Sequence, residues 1–308
     1  MLVADVPKVT VDIAPVHSLV SKVMNGIGKP DLIIPAGASP HEYQLKPSNA
    51  QSLEDADIVF WIGEDLTPWL EKGLSSLAQD SSITSLLGVD GIELLSFREG
   101  ALFEAHDHGD HDDHDDHDHG KKKHDDHDDH DDHEGHAHGE HDPHAWLSPQ
   151  IAKVWLNVIA AKLSEVDPDN AAKYFSNAKS ARDNIDSLVS EVNSILDPIR
   201  DKKFVVFHDA YQYFERDFGI SASGAISLSD ASDPSPSRLA EIRKRVVDEA
   251  VQCVLAEPQY NRGLVKAVIQ GTEANTTVID PLGVNLEAGP GLYENLIRNL
   301  ATNLAKCF

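Results

Sequence analysis

The chain of 308 residues is long enough for two domains of about 120 to 150 residues each. Hydrophobic residues make up 41% of it, as in ordinary globular proteins, and no apolar run approaches the length of about 18 residues that a membrane span needs. The formal net charge of −26 argues against nucleic acid or an anionic membrane surface as a partner, and it suits the binding of cations.

The N-terminal part predicts strands that alternate with helices. Its first residues look like an initiator Met before a mature chain, and we expect that an export signal has been removed. Apolar and β-branched runs predict strands at 9–14, 31–35, 57–63 and 83–87, and the segments between them predict helices at about 16–28, from 47 onwards and at about 66–79. This alternation indicates βαβ units on a parallel sheet.

A tract rich in His and Asp follows, and we expect it to be disordered over 106–142. Its only apolar side chain is Ala137, so it cannot bury enough surface to fold. It contains thirteen of the chain's seventeen histidines: His106, His108, His111, His114, His117, His119, His124, His127, His130, His133, His136, His138 and His141. Imidazole at this density predicts weak binding of several metal ions, and a solvated acidic linker is the alternative.

One long helix is predicted after the tract. No Gly or Pro occurs between Pro168 and Pro198, and apolar residues recur there every three or four positions. A helix of about thirty residues would be about 45 Å long, enough to join two lobes and to restrict their relative movement. We therefore expect an N-terminal lobe at 1–166, a linking helix at 167–199 and a C-terminal lobe at 200–308.

The C-terminal part repeats the alternation of strand and helix. Strands are predicted at 203–208, 251–257 and 276–280, with a weaker one at 219–226, and helices are predicted at about 210–218, 236–249, 261–271 and 291–306. The expected fold class is α/β, with two (β/α) lobes that have parallel sheets and one long rigid helix that joins them. Such sheets bind ligands outside the carboxyl ends of their strands, which here form a cleft between the lobes.

Four residues outside the tract predict an ordered metal site in this cleft. His41 follows the second predicted strand, and His208 and Asp280 each end a strand of the other lobe. His144 precedes a predicted helix and can complete the set. Three imidazoles and one carboxylate suit a tetrahedral Zn²⁺ site.

Three further polar residues lie near the predicted ligands or resemble them. Asp209 is predicted to orient His208 through the other nitrogen of its ring, and Glu257 is predicted to face the cleft behind the ligands. His17 opens the first helix, where a capping or surface role is expected.

The two cysteines, Cys253 and Cys307, lack the spacing of a thiolate metal site. A single disulfide in an oxidising compartment would close a loop of about 55 residues and stabilise the fold by roughly 4 kcal/mol. Two free buried thiols are the alternative.

Five segments resemble a known family, in this order and over essentially the whole chain: GASPHEYQLKPSNAQSLEDADIVFWIGEDL, DPHAWLSP, FVVFHDAYQYFERDFG, CVLAEPQY and VIDPLG. They resemble the periplasmic zinc-binding proteins of high-affinity zinc ABC importers, the ZnuA type. The resemblance implies two lobes, a rigid linking helix and one Zn²⁺ in the cleft. It implies His41 (SPHEY), His144 (DPHAW) and His208 (FHDAY) as ligands, and a disulfide between the two cysteines.

The resemblance leaves three possibilities for the fourth ligand. The position of Asp280 is a ligand in related manganese binders, whereas water or the carboxylate of Glu42 takes this place in zinc members. Relatives that bind manganese or iron tend to carry Glu where this chain has His208, and a third nitrogen ligand favours zinc over the harder Mn²⁺.

The predicted function is the capture of Zn²⁺ outside the cytoplasm and its delivery to an inner-membrane ABC permease. We expect a periplasmic monomer that is not an enzyme, with the tract collecting zinc near the cleft. A general divalent-metal buffer or storage protein and a zinc hydrolase are the alternatives. The chain has no HExxH or GxSxG motif to support a hydrolase.

Overall fold

The structure is a computed structural model that describes residues 6–98, 103, 141–227 and 234–308. The predicted disorder of the His/Asp-rich tract therefore lies outside the described residues, apart from the last two positions of the tract. These two positions are ordered: His141 forms an antiparallel bridge with Ser96, and Asp142 is buried.

The N-terminal lobe is built on a parallel sheet of four strands in the order β2-β1-β3-β4. Every residue of the two central strands is buried, as expected for a parallel sheet that helices cover on both faces. The elements are β1 (Val9–Val11), α1 (Ala14–Val23), β2 (Asp31–Leu32), α2 (Pro47–Glu54), β3 (Ile58–Trp61), α3 (Pro68–Leu77) and β4 (Ser82–Ser85).

Two helices follow the first sheet in the chain, α4 (Pro149–Val166) and α5 (Ala171–Leu196). The second is the predicted long helix. It has 26 residues and is therefore about 39 Å long, and a single 3-10 turn extends it at each end. Among the described residues, none of the helices combines the length and the hydropathy that a membrane-spanning segment needs.

The C-terminal lobe has a second parallel sheet of four strands, in the order β6-β5-β7-β8. The two sheets and the long helix confirm the predicted α/β class with two lobes. The elements are β5 (Phe204–His208), α6 (Gln212–Phe218), β6 (Ala225–Ser227), α7 (Pro236–Asp248), β7 (Cys253–Ala256), α8 (Arg262–Ile269), β8 (Asn275–Val278) and α9 (Leu292–Ala305).

The last helix returns to the N-terminal lobe. α9 packs against α1 and α5, and the Tyr293 backbone N–H donates to Ser18 Oγ at 3.0 Å. The Tyr293 hydroxyl donates to the Trp146 carbonyl, also at 3.0 Å. Just beyond α9, Cys307 forms a disulfide with Cys253 in β7, which confirms the predicted pair and excludes the free thiols. The chain end is thus bonded covalently to the C-terminal sheet.

Candidate metal centre

A cavity of about 230 Å³ lies between the lobes, outside the carboxyl ends of the strands. It is lined by the three predicted histidines, together with Glu42, Gln259 and Tyr260. The ring centroids of His41 and His144 are 5.8 Å apart, and those of His144 and His208 are 5.3 Å apart. The structure therefore brings together side chains that are up to 167 positions apart in the sequence.

His41 lies in the loop between β2 and α2, and two local contacts fix this loop. The indole N–H of Trp69, in α3, donates to the Pro40 carbonyl at 2.7 Å. The His41 backbone N–H donates to Ser39 Oγ at 3.2 Å. His41 is only half-buried, and with Ser39, Pro40 and Glu42 it lines the cavity on the side of the N-terminal sheet.

His144 is held by Asp142, two residues earlier. The Asp142 Oδ1 atom accepts the backbone N–H of His144 at 2.9 Å and its ring Nδ1–H at 2.7 Å. Both residues are buried. Burial raises the pKa of the Asp142 carboxyl to about 7, against the opposing effect of the backbone hydrogen bond from His144 and of the nearby Arg98 charge.

His208 is the last residue of β5, and Glu257, just after β7, holds its ring. The ring Nδ1–H donates to Glu257 Oε1 at 2.7 Å, and Glu257 is only 1% exposed. Glu257 thus lies behind His208, where it was predicted, and its support of a metal site stays a prediction. The prediction that Asp209 orients His208 is wrong, because the Asp209 carboxylate binds Arg98 instead.

These two carboxylates set the chemistry of the histidines that they contact. A carboxylate accepts the Nδ1–H, so it selects the tautomer in which the lone pair is on Nε2. It also makes the imidazole a stronger donor to a metal ion. In His144 and His208 the lone pair that a metal ion would need is therefore on Nε2.

The spacing of the rings can be compared with a tetrahedral zinc site. A Zn–N bond of about 2.1 Å places a ring centroid about 3.2 Å from the metal, so two ligand rings lie about 5.2 Å apart. His144 and His208 match this value at 5.3 Å, and His41 is about half an ångström too far from His144. Accordingly, no three His, Cys, Asp or Glu side chains in the described part of the chain already coordinate one point. The pair of His144 and His208 thus has the spacing of two zinc ligands, and the place of His41 in the set stays a prediction.

The candidates for the fourth ligand differ in their surroundings. Both oxygens of Asp280 already accept backbone N–H groups, from Leu282, Gly283 and Val284 at 2.6 to 3.0 Å. Glu42 is exposed and lines the cavity. Asp280, Glu42 and water each stay a prediction for this position.

The remaining histidines lie elsewhere. His17 is in α1, where its Nε2–H donates to the Pro30 carbonyl at 3.1 Å and burial lowers its pKa. It therefore joins α1 to the segment before β2. Twelve of the thirteen tract histidines, His106 to His138, lie outside the described residues, so their role as weak ligands stays a prediction.

Asp142 is the supporting residue that sequence reasoning missed. The sequence alone could have predicted its contact with His144, because an Asp two positions before a residue commonly accepts that residue's backbone N–H in an Asx turn. Arg98 and Tyr260 carry no comparable signal, since they reach the site region only through the tertiary fold. The ring of Tyr260 lies 5.5 Å from that of His208.

Comparisons with known proteins identify the family of the chain. A family model described as zinc-uptake complex component A, periplasmic, matches residues 9–307. The high-affinity zinc uptake system protein ZnuA of Brucella abortus is 48% identical over 303 residues, which cover 97% of this chain and 91% of that protein. The ZnuA of Paracoccus denitrificans is 47% identical over 305 residues, with coverages of 99% and 92%.

Solved structures share the fold. A crystal structure of ZnuA has a TM-score of 0.76 at 21% identity and covers 98% of this chain and 99% of its own. The Mn²⁺ complex of FpvC from Pseudomonas aeruginosa has a TM-score of 0.77 at 18% identity and covers 98% of both chains. Together with the family model and the close relatives, these findings confirm the resemblance: the chain belongs to the periplasmic zinc-uptake component A family, the ZnuA type.

Proposed function

We propose that this protein captures Zn²⁺ in the interlobar cavity, in the periplasm, and delivers it as a monomer to the permease of an ABC importer. The observation that carries the proposal is the arrangement of three imidazoles around one cavity, with the Nδ1 atoms of two of them paired to buried carboxylates. The family and the names of the relatives, which refer to zinc uptake, support the choice of metal and of pathway.

The donor set favours zinc over harder metal ions. His41, His144 and His208 offer nitrogen donors, which suit Zn²⁺ and other borderline ions, whereas Mn²⁺ prefers oxygen ligands. The carboxylates of Asp142 and Glu257 strengthen this preference, because they raise the basicity of two imidazoles. Water, Glu42 or Asp280 then supplies the fourth donor.

The His/Asp-rich tract 106–141 is proposed to collect zinc for this site. The bridge between Ser96 and His141 fixes the end of the tract three residues from the ligand His144. A flexible tether of this kind holds weakly bound ions at an effective concentration on the order of mM. Zinc would then move from many exchanging ligand sets to the ordered site.

Stoichiometry separates a carrier from a buffer. Isothermal titration of the full chain should show one tight zinc equivalent and several weak ones. Deletion of 106–140, which keeps the Ser96–His141 bridge, should remove the weak equivalents and leave the tight one. A general metal buffer would instead lose its tight binding with the tract, and turnover of ester or peptide substrates would point to a hydrolase.

The ligands are tested in the variant that lacks 106–140. His41→Ala, His144→Ala and His208→Ala should each abolish the tight equivalent, because three protein nitrogens are needed to hold the ion. His17→Ala is the matched control, since this histidine lies in α1 and binds the Pro30 carbonyl. Tight binding that survives the double variant His41→Ala/His208→Ala would refute the proposal.

A further inference from the structure

An arginine whose side chain is 13% exposed, Arg98, reaches from the N-terminal lobe into the C-terminal lobe beside the candidate metal centre. Arg98 Nε donates to both oxygens of Asp209 at 3.0 Å. Its Nη1 and Nη2 atoms donate to the two oxygens of Glu215 at 2.9 and 3.0 Å. The side chains of Asp209 and Glu215 are 4% and 5% exposed, so one guanidinium group serves two buried carboxylates.

The arginine is enclosed on a further side by an aromatic ring. The guanidinium carbon of Arg98 lies 3.7 Å from the ring centroid of Phe103, close enough for a cation–π contact. Arg245 in α7 donates to the carbonyl of Phe103 at 3.0 Å and thereby holds the backbone of this residue against the C-terminal lobe. Arg98 is therefore fixed in position by contacts on several sides.

The segment before Arg98 is also linked by hydrogen bonds to Asp142, the residue that holds His144. The Tyr213 hydroxyl, in α6, donates to the Asp142 carbonyl at 2.9 Å and accepts the Leu95 backbone N–H at 3.0 Å. Gln212 Nε2 donates to the Ser96 carbonyl at 2.9 Å. The segment that ends in Arg98 thus lies against both Asp142 and the start of α6.

We propose that Arg98 is a positioning residue for the zinc centre. Asp209 directly follows His208, so the pairs that Arg98 forms with Asp209 and Glu215 fix the backbone on which this ligand is carried. Arg98 belongs to the lobe of His41, and it therefore also sets the distance between ligands that come from opposite sides of the cavity. This inference rests on the proposed function, because it concerns the retention of zinc at that site.

Two physical effects of Arg98 on zinc have opposite signs, which makes the role testable. Its positive charge repels a cation nearby, so loss of the charge alone would tighten zinc binding. Loss of the fixed geometry would instead weaken it, because Asp209 and Glu215 would be left as two buried carboxylates without their shared partner. Lys keeps the charge but cannot bond to both carboxylates with a planar fork, so Arg98→Lys separates the effects.

The experiment measures zinc dissociation from the full chain into an excess of a chelating dye by stopped flow, with the melting temperature of the metal-free protein as a second readout. The variants are Arg98→Lys and Arg98→Met. The matched control is Arg200→Lys, because Arg200 supports α6 from its other end, through the Phe218 carbonyl and Asn193. We expect dissociation to become at least about tenfold faster in both Arg98 variants and to stay within about twofold of wild type in the control.

Three results would overturn the inference. The first is an Arg98→Lys variant that releases zinc at the wild-type rate while Arg98→Met binds more tightly, which would leave Arg98 only an electrostatic effect. The second is an equal acceleration in Arg98→Lys and Arg200→Lys at equal losses of melting temperature, which would show general destabilisation. The third is wild-type release from both Arg98 variants. If Arg98→Met does not fold, Arg98→Lys against its control decides alone.

The failure of this inference is distinguishable from that of the proposed function. If wild type itself shows no tight zinc equivalent, the proposed function fails, and the Arg98 inference fails with it. If wild type binds one tight zinc and the Arg98 variants release it as wild type does, only the positioning role is lost.

Discussion

The carboxylate of Glu257 offers the sharpest test of how the fold prepares its ligands. Glu257→Gln keeps the size of the side chain and an acceptor oxygen for the Nδ1–H of His208, but it removes the charge. The 2.7 Å contact is in the range of a charge-assisted hydrogen bond, which is worth about 1 to 1.5 kcal/mol more than a neutral one. Since 1.4 kcal/mol is a factor of ten, zinc should bind about tenfold more weakly.

The assay for Glu257→Gln is competition for zinc against a high-affinity chromophoric chelator, which reports the tight site and ignores weak equivalents. Asp167→Asn is the matched control: this buried carboxylate accepts hydrogen bonds from Asn170 and Tyr174 at 2.7 and 2.8 Å at the start of α5. It should lose stability but keep its zinc affinity. Wild-type zinc affinity in Glu257→Gln, or an equal loss in Asp167→Asn, would refute the reasoning.

Four further predictions follow, two on the effects of pH, one on metal choice and one on the disulfide. Zinc affinity should fall as the pH drops below about 7, because the imidazoles must be neutral to bind the ion. Burial also raises the pKa of Asp142 to about 7, so the metal-free site takes up a proton that zinc must displace. A zinc affinity that stays constant down to pH 5 in competition titrations would contradict this. The stability of the metal-free protein should change in the opposite direction, because the raised pKa of the Asp142 carboxyl contributes stability at low pH that is lost as the pH rises through about 7. The melting temperature of Asp142→Asn should therefore rise less upon acidification than that of wild type. His208→Glu should shift the ratio of the Mn²⁺ and Zn²⁺ dissociation constants towards Mn²⁺, because a carboxylate is the harder ligand, and an unchanged ratio would count against the assigned role of this residue. The double variant Cys253→Ala/Cys307→Ala should lose roughly 4 kcal/mol of unfolding free energy in denaturant titrations, given the sequence separation of 54 residues, at unchanged zinc affinity.

Most strands and helices could be predicted from the sequence, because each depends mainly on residues that are close together in the chain. Apolar runs identified the buried strands, and Pro47 and Pro68 occupy the first turns of their helices, where their missing N–H costs nothing. The predicted limits extend too far by a few residues, as at 9–14, where the strand is only Val9–Val11. The limits of the lobes stay a prediction, since the packing of α9 involves both lobes.

The metal centre was predictable only in part. The rule that ligands bind at strand ends predicted that His41 and His208 would lie together at the cavity, since strand ends can be read from the sequence. It could not show that Glu257 rather than Asp209 would bond to His208, because both acids are within reach along the predicted sheet and only the packed structure decides between them. The contact of Arg98 with Asp209 joins residues that are 111 positions apart, and no local sequence pattern predicts it.

The return of the last helix has a consequence for how far the two lobes can move apart. The polypeptide passes between the halves twice, once through α5 and once before α9, and the disulfide at Cys307 anchors the second passage to β7. A wide opening of the cleft would strain both connections between the lobes at once. We therefore expect nearly the same hydrodynamic radius and small-angle scattering profile with and without the ion.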